Sequence, residues 1–340
     1  MIIRSKAPLR VSLGGGGTDL EAYTNRYGGA ILNATISLYA YATIQPRHDG
    51  KISIYSVDRD ERFETEAVEE LPVENDGLIL HKGIYNRVVR EFTGAPRAFD
   101  LTTYVDAPPG SGLGSSSTLV VAILGAFTEW LKLPLGEYDI AQLAYEIERI
   151  DLKMPGGKQD QYAATFGGVN FMEFHKDKVI VNPLRVSTVY LNELSYNMVL
   201  YNTEVSRLTT RIIETQTRNV IENNTKSIEA MHRIKEQAIM MKEAILKGEF
   251  DDIGKILDYG WQSKKLMAEG ITNPYLDDIY ETALRSGATG GKISGAGGGG
   301  FMFFYCPDNT RASVIKALKK FGGEVKRYDY TTIGLTTWTI

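Results

Sequence analysis

Residues 108–118 read Pro-Pro-Gly-Ser-Gly-Leu-Gly-Ser-Ser-Ser-Thr, and an apolar run from Leu119 to Leu131 follows at once. Glycine loses more chain entropy on folding than any other residue, so Gly110, Gly112 and Gly114 so close together need tight turns or close backbone approach. The alternating stretch Phe99 to Val105 predicts a strand ahead of the loop, and the apolar run predicts a buried helix over roughly 115–132 behind it. Serines at the head of a helix are natural caps. The free N–H groups there, with the positive end of the helix dipole, make such a loop an anion site. Pro109, Gly110, Ser111, Gly112, Leu113, Gly114, Ser115, Ser116 and Ser117 are therefore expected to cradle the phosphates of a nucleotide such as ATP. A serine hydroxyl there is in reach of a Mg2+ ion riding on those phosphates.

Two further clusters, Gly14 to Gly17 and Gly290 to Gly300, predict loops that approach a ligand or each other. The common nucleotide signatures fail. A P-loop needs Gly-Lys-Ser/Thr, but Gly291-Lys292 is followed by Ile293. Gly295, Gly297 and Gly300 satisfy G-x-G-x-x-G, but a dinucleotide site needs a helix next. Phe301-Met302-Phe303-Phe304-Tyr305 follows instead and reads as a buried strand, which disfavours a dehydrogenase.

The first half mixes strands and helices. It includes strands over 2–13 and Ile31 to Gln45, a hairpin turn at Asp49-Gly50 leading to Lys51 to Val57, and helical spacing from Leu78 to Phe92. After about residue 190 a strand at Tyr196 to Tyr201 precedes a long helical stretch, roughly 207–247. This order predicts an α+β fold in two domains, 1–190 and 191–340. The net charge is −4 without a long Lys/Arg run, so neither nucleic acid nor a membrane surface is an expected partner. The single Cys306 fits a cytoplasmic setting. Oligomeric state is open, a homodimer included.

Three motifs resemble the GHMP kinases, in family order. They are Lys6 to Leu13 with Gly17-Thr18-Asp19, then Pro108 to Thr118, then Lys292 to Gly300. The resemblance implies a two-domain fold, ribosomal protein S5 domain 2-like at the N-terminus and ferredoxin-like at the C-terminus, with ATP and Mg2+ in the cleft. Within the family the chain is most similar to the D-glycero-D-manno-heptose 7-phosphate kinases, through Leu13 to Asp19, Leu80 to Asn86 and Gly156 to Tyr162. Galactokinases carry Gly-Glu-His where this chain has Gly15-Gly16-Gly17, which suits a bulkier or phosphorylated sugar.

By that resemblance Asp160 is the catalytic base, and Glu148 with Ser116 or Ser115 holds the metal. Arg10 is expected to pair with Asp160 and stabilise charge on the moving phosphoryl group, with Lys158 in a similar part. Gly16, Gly17, Thr18, Asp19, Gly297 and Gly298 are expected at the sugar. Lys82, Arg87 and Arg207 are candidate cations for its phosphate. The implied reaction is ATP-dependent phosphorylation of the anomeric hydroxyl of the heptose 7-phosphate, toward nucleotide-activated heptose for surface glycans. The alternatives are another anomeric sugar kinase (fucose, uronic acid or galactose type) and a non-catalytic ATP- and sugar-binding regulator.

Overall fold

The computed structural model describes residues 1–74, 76–205 and 209–340. The chain runs β1 (Ile3–Gly14), α1 (Glu21–Tyr27), β2 (Gly29–Pro46), β3 (Lys51–Ser56), β4 (Glu61–Glu66), α2 (Ile79–Val88) and β5 (Phe99–Val105). Next come α3 (Ser115–Leu131), α4 (Glu137–Glu146), α5 (Gln159–Phe166), β6 (Val169–Phe174), β7 (Val179–Pro183) and α6 (Thr188–Asn197). The second half holds β8 (Met198–Asn202), α7 (Thr209–Ile221), α8 (Thr225–Lys247), α9 (Phe250–Lys264) and α10 (Pro274–Arg285). It closes with β9 (Gly290–Ile293), β10 (Phe301–Tyr305), α11 (Arg311–Leu318), β11 (Glu324–Lys326) and β12 (Thr336–Thr339). The class is the expected α+β.

One sheet has the order β12-β1-β2-β5-β3-β4, with β6 on β2 and β7 on β6. The long β2 serves two partners: residues 29–34 pair with β6 and 40–46 with β5. The second sheet is β11-β8-β10-β9, antiparallel throughout. From Ser117 to Phe127 every residue of α3 is buried. A helix with no polar face must be covered on all sides; β1 and β2 lie under it, and α2, α4 and α5 flank it. Burial of that run fixes where its open N-terminus points.

Four sequence expectations change. Asp49-Gly50 does not close a hairpin, because β5 inserts between β2 and β3, antiparallel to one and parallel to the other. Arg47 fastens that turn to β5 through Asp100 at 2.6 Å. The segment expected to be extended from Tyr196 begins inside α6, and β8 starts only at Met198. The long helical stretch breaks between α7 and α8, where Asn223 adopts φ 57° and Asn224 caps α8 by accepting from the Ser227 N–H. Nor does the chain divide once near residue 190. β12 returns to pair with β1, and Tyr330 bridges to Ile36, so the C-terminal tail completes the first sheet. Among the described residues no helix is long and apolar enough to cross a membrane.

Candidate active site

A cleft of about 220 Å³ opens where the end of β1, the 108–114 loop, the heads of α3 and α5, and helices α7 and α9 meet. Gln237 of α8 holds the end of β1 that leads into the cleft. It accepts from the Gly15 N–H at 3.2 Å and donates to the Leu13 carbonyl at 3.0 Å.

The head of α3 is bare. Gly114 sits at the N-cap with φ 80°, and no side chain caps the helix, contrary to the serine capping expected. The serines are engaged elsewhere. Ser115 Oγ donates to the Pro108 carbonyl at 3.4 Å, Ser117 Oγ accepts from Gln161 at 3.1 Å, and Ser111 Oγ accepts from the Leu113 N–H at 3.4 Å. Gly110, Gly112, Gly114, Ser115, Ser116 and Ser117 line the cleft. The helix's first N–H groups, which a capping side chain would have used, thus remain available to an anion. Pro109, Ser111 and Leu113 do not line it; Leu113 is core, and its carbonyl accepts from the Arg10 N–H at 3.1 Å.

The third glycine cluster backs this loop. A Cβ on Gly112, at φ 79°, would stand 2.2 Å from the Ser294 carbonyl oxygen, so the two loops touch backbone to backbone. Phe301 N–H donates to the Ser111 carbonyl at 2.9 Å. Gly295 and Ala296 line the cleft, whereas Gly297 and Gly298 turn away toward Ile271, whose carbonyl accepts from the Gly298 N–H at 2.8 Å. The latter two thus fall outside the expected sugar site.

Asp160 lies in the second position of α5, facing the head of α3. A Cβ on Gly114 would be 3.2 Å from its Cγ. Arg10 holds Asp160 Oδ1 through Nε at 2.7 Å and Nη2 at 2.6 Å. The same guanidinium donates to the Gly112 carbonyl at 2.6 Å and faces Ser294 Oγ at 3.4 Å. One buried side chain from β1 thus joins the acidic group to both glycine loops. Lys158, expected to share this work, packs over the Tyr145 ring at 4.8 Å and does not line the cleft.

Glu148 rides on a π-helical turn, Ile147–Asp151, that extends α4. Such turns widen the helix and re-aim its side chains, often at functional sites. Its carboxylate is buried, lines the cleft, and accepts from Gln161, which also donates to Ser117. Among the described residues no three His, Cys, Asp or Glu side chains form a metal cage. A single carboxylate in a cleft that Ser116 also lines fits Mg2+ better than a cage does, because that ion keeps waters and phosphate oxygens.

Gly16, Gly17 and Asp19 line the cleft as well. Thr18 does not: its hydroxyl closes the loop onto the Gly15 and Ala30 carbonyls. Asp19 accepts from the Gln159 N–H at 3.0 Å, capping α5 rather than α1, and burial pushes its pKa up. Lys82 and Arg87 lie outside the cleft, which corrects their expected part. Lys82 is paired with Asp76 at 2.6 Å over the Phe63 ring, and Arg87 with Glu91, Glu146 and Asp151. Arg207 lies outside the described residues.

Several cleft residues carried no sequence signal. Lys264 ends α9 with its ammonium on the Gly295 carbonyl. Burial, with Arg10 nearby, pushes its pKa down to about 8. Behind the cleft, Lys292 of the third motif donates to the Ser12 carbonyl at 2.9 Å and is pushed down by burial and by Lys264 and Arg10. Arg149 and Gln216 also face the cleft. Two adjacent lysines in a helical stretch look like solvated charges; only the packing of α9 on β9 reveals that one points inward. Gln161, which bridges Glu148 and Ser117, was legible as part of the Gly156 to Tyr162 segment.

Family models described as GHMP kinases N terminal domain and GHMP kinases C terminal match residues 80–168 and 241–324. A D-glycero-alpha-D-manno-heptose 7-phosphate kinase of Campylobacter jejuni is 51% identical over 340 residues, 99% of each chain. The solved structure of a D-glycero-D-manno-heptose 1-phosphate kinase from Bacteriodes thetaiotaomicron superposes with TM-score 0.85 at 43% identity, covering 99% of both chains. Lactococcus lactis galactokinase, complexed with galactose, shares the fold with TM-score 0.80 at 20% identity, over 98% of this chain and 95% of that one.

Proposed function

The chain belongs to the GHMP kinases, and on that premise we propose that it is an ATP-dependent sugar 1-kinase acting on D-glycero-D-manno-heptose 7-phosphate. The γ-phosphoryl group passes to the anomeric hydroxyl and leaves a 1,7-bisphosphate, a precursor of nucleotide-activated heptose for surface glycans. An enzyme fed by ATP in this way works in the cytoplasm. The observation that carries the reading is the Asp160 carboxylate against the uncapped head of α3, where Gly114 leaves 3.2 Å between a would-be Cβ and Asp160 Cγ.

Phosphoryl transfer needs alignment and charge neutralisation more than covalent chemistry. The α3 N–H groups and the 110–114 backbone hold the nucleotide's phosphates. Glu148 and Ser116 hold Mg2+, which when bound draws charge from the phosphate oxygens. Asp160 takes the proton of the attacking hydroxyl. Arg10 fixes Asp160 and faces the phosphoryl group in transit. Asp19 orients sugar hydroxyls.

The two heptose kinases agree on the sugar and differ in the phosphate position their names carry. ADP release is therefore measured with heptose 7-phosphate, heptose 1-phosphate, free heptose, fucose and galactose, and the product is located by phosphorus NMR. Preferred turnover of heptose 7-phosphate with a new anomeric phosphate supports the proposal. Preference for another sugar refutes the substrate, and sugar binding without ADP release refutes the kinase reading in favour of a regulator.

A further inference from the structure

The roles above leave one buried cation of the cleft unused. Lys264 is 3% exposed, yet it lines the cleft. An ammonium has three donors. One goes to the Gly295 carbonyl, and among the described residues no carboxylate oxygen lies within 4.0 Å of it. Burying a charge without an opposite one is costly, so the site is incomplete without an anion.

The position of Lys264 tells which anion. Its ammonium lies beside the loop that carries Gly16, Gly17 and Asp19. A Cβ on Gly16 would stand 3.8 Å from Lys264 Nζ and 3.1 Å from Ser12 Oγ. The missing side chain at Gly16 thus leaves a gap about the size of a methyl group between the two. Ser12 Oγ is buried without a hydrogen-bond partner among the described residues, and Ser12 too lines the cleft. Asp160 is occupied by Arg10, and Asp19 by the Gln159 N–H. A free ammonium and a free hydroxyl flanking that gap suit a phosphate oxygen.

We propose that Lys264 and Ser12, across the space left by Gly16, bind the phosphate the acceptor already carries, and so make the enzyme prefer a phosphorylated sugar to its unphosphorylated form. The inference rests on the acceptor being the sugar phosphate proposed above.

The test uses the full chain with ATP and, in parallel, heptose 7-phosphate and heptose. Lys264→Met is expected to raise KM for heptose 7-phosphate about 10–100-fold, the worth of a hydrogen bond to a charged group. KM for ATP and kcat/KM for heptose stay within about threefold of the wild type. Ser12→Ala narrows the same preference by less, and it keeps the inference testable if the methionine variant fails to fold. In thermal shift, the methionine variant loses stabilisation by heptose 7-phosphate and keeps that by a non-hydrolysable ATP analogue. Equal losses for both sugars, or a fall in kcat at unchanged KM, overturn the inference by moving Lys264 to the transferred phosphoryl group. A wild type that does not use heptose 7-phosphate brings down the proposed substrate first. A wild type that does, with variants that keep its preference, brings down only this inference.

Discussion

Asp160→Asn separates the proton-accepting part of the site from its architecture. An asparagine keeps the shape and one acceptor oxygen for Arg10, but neither the charge nor the capacity for a proton. A positioned base contributes about 10²–10⁴-fold, so kcat should fall by about that much while the ATP analogue still binds the α3 loop. The folding cost follows from burial. Arg10 is 3% exposed and keeps its contacts to the Gly112 carbonyl at 2.6 Å and to Ser294 Oγ, while Asp160 is 23% exposed and reached by water. Stripping a fully buried cation of its partner costs about 3–5 kcal/mol. With an amide oxygen still accepting and solvent at hand, the loss is about 1–3 kcal/mol. At about 2–4 °C per kcal/mol for a large domain, Tm drops by about 2–12 °C, which leaves the variant folded at 25 °C. Single-turnover ADP formation, thermal melts and analogue binding read the three quantities separately. A kcat within about tenfold of the wild type refutes the reasoning, because loose phosphoryl transfer would then be proceeding without a base.

Glu148→Gln should raise the Mg2+ concentration for half-maximal activity by about tenfold or more while metal-free nucleotide binding is unchanged; an unaltered Mg2+ titration removes Glu148 from the metal site. Gly112→Ala combines a left-handed backbone, costing about 1–2 kcal/mol for a residue with a Cβ, with a contact of 2.2 Å to the Ser294 carbonyl oxygen. KM for ATP should rise by about tenfold or more, and a variant with wild-type KM and Tm shows that the two loops are not packed as described. Burial and Arg10 lower the Lys264 pKa to about 8 against the pull of Asp19, so the ammonium is present below that pH and lost above it. Because kcat/KM reports the free enzyme, its value for heptose 7-phosphate should fall as pH rises through about 8, while Lys264→Met flattens that limb. A wild-type profile still level at about pH 9.5 excludes the ammonium from acceptor binding.

The parts legible in the sequence are those where one short segment does the whole task. The stretch 108–131 announces loop and buried helix together, because the glycines and the apolar run admit little else. Asp160, Glu148 and Arg10 were reached through motif resemblance, and they converge only because β1, α4 and α5 pack around α3. What stayed illegible depends on long-range packing. Asp49-Gly50 is a sound local turn, but whether it closes a hairpin depends on β5, about fifty residues further on. Lys82 and Arg87 have the chemistry of phosphate ligands, yet Asp76, Glu91, Glu146 and Asp151 are nearer and use it up. Lys264 has the opposite history: nothing in its local sequence marks it, and burial alone makes it a functional candidate.

The two walls of the cleft neutralise anions by different means, and that difference bears on which substrate sits where. At the head of α3 the positive end of a helix dipole faces a buried carboxylate, Glu148. A carboxylate would repel a bare phosphate chain, so this wall suits a nucleotide whose charge is already shared with a divalent cation. The Asp19 wall is the reverse. Its one carboxylate is taken by a backbone N–H, and its buried ammonium lacks a carboxylate among the described residues. That wall suits an anion arriving without a metal. Arg10 and Asp160 stand between the walls, the guanidinium touching both glycine loops and the carboxylate facing the helix head. A phosphoryl group crossing from the metal-assisted wall to the cationic one thus passes the Arg10–Asp160 ion pair, which both steadies its charge and takes up the hydroxyl proton. Exchanging the substrates between the walls would set Glu148 against an acceptor phosphate with no metal to mediate, which is the electrostatic ground for assigning donor and acceptor as above.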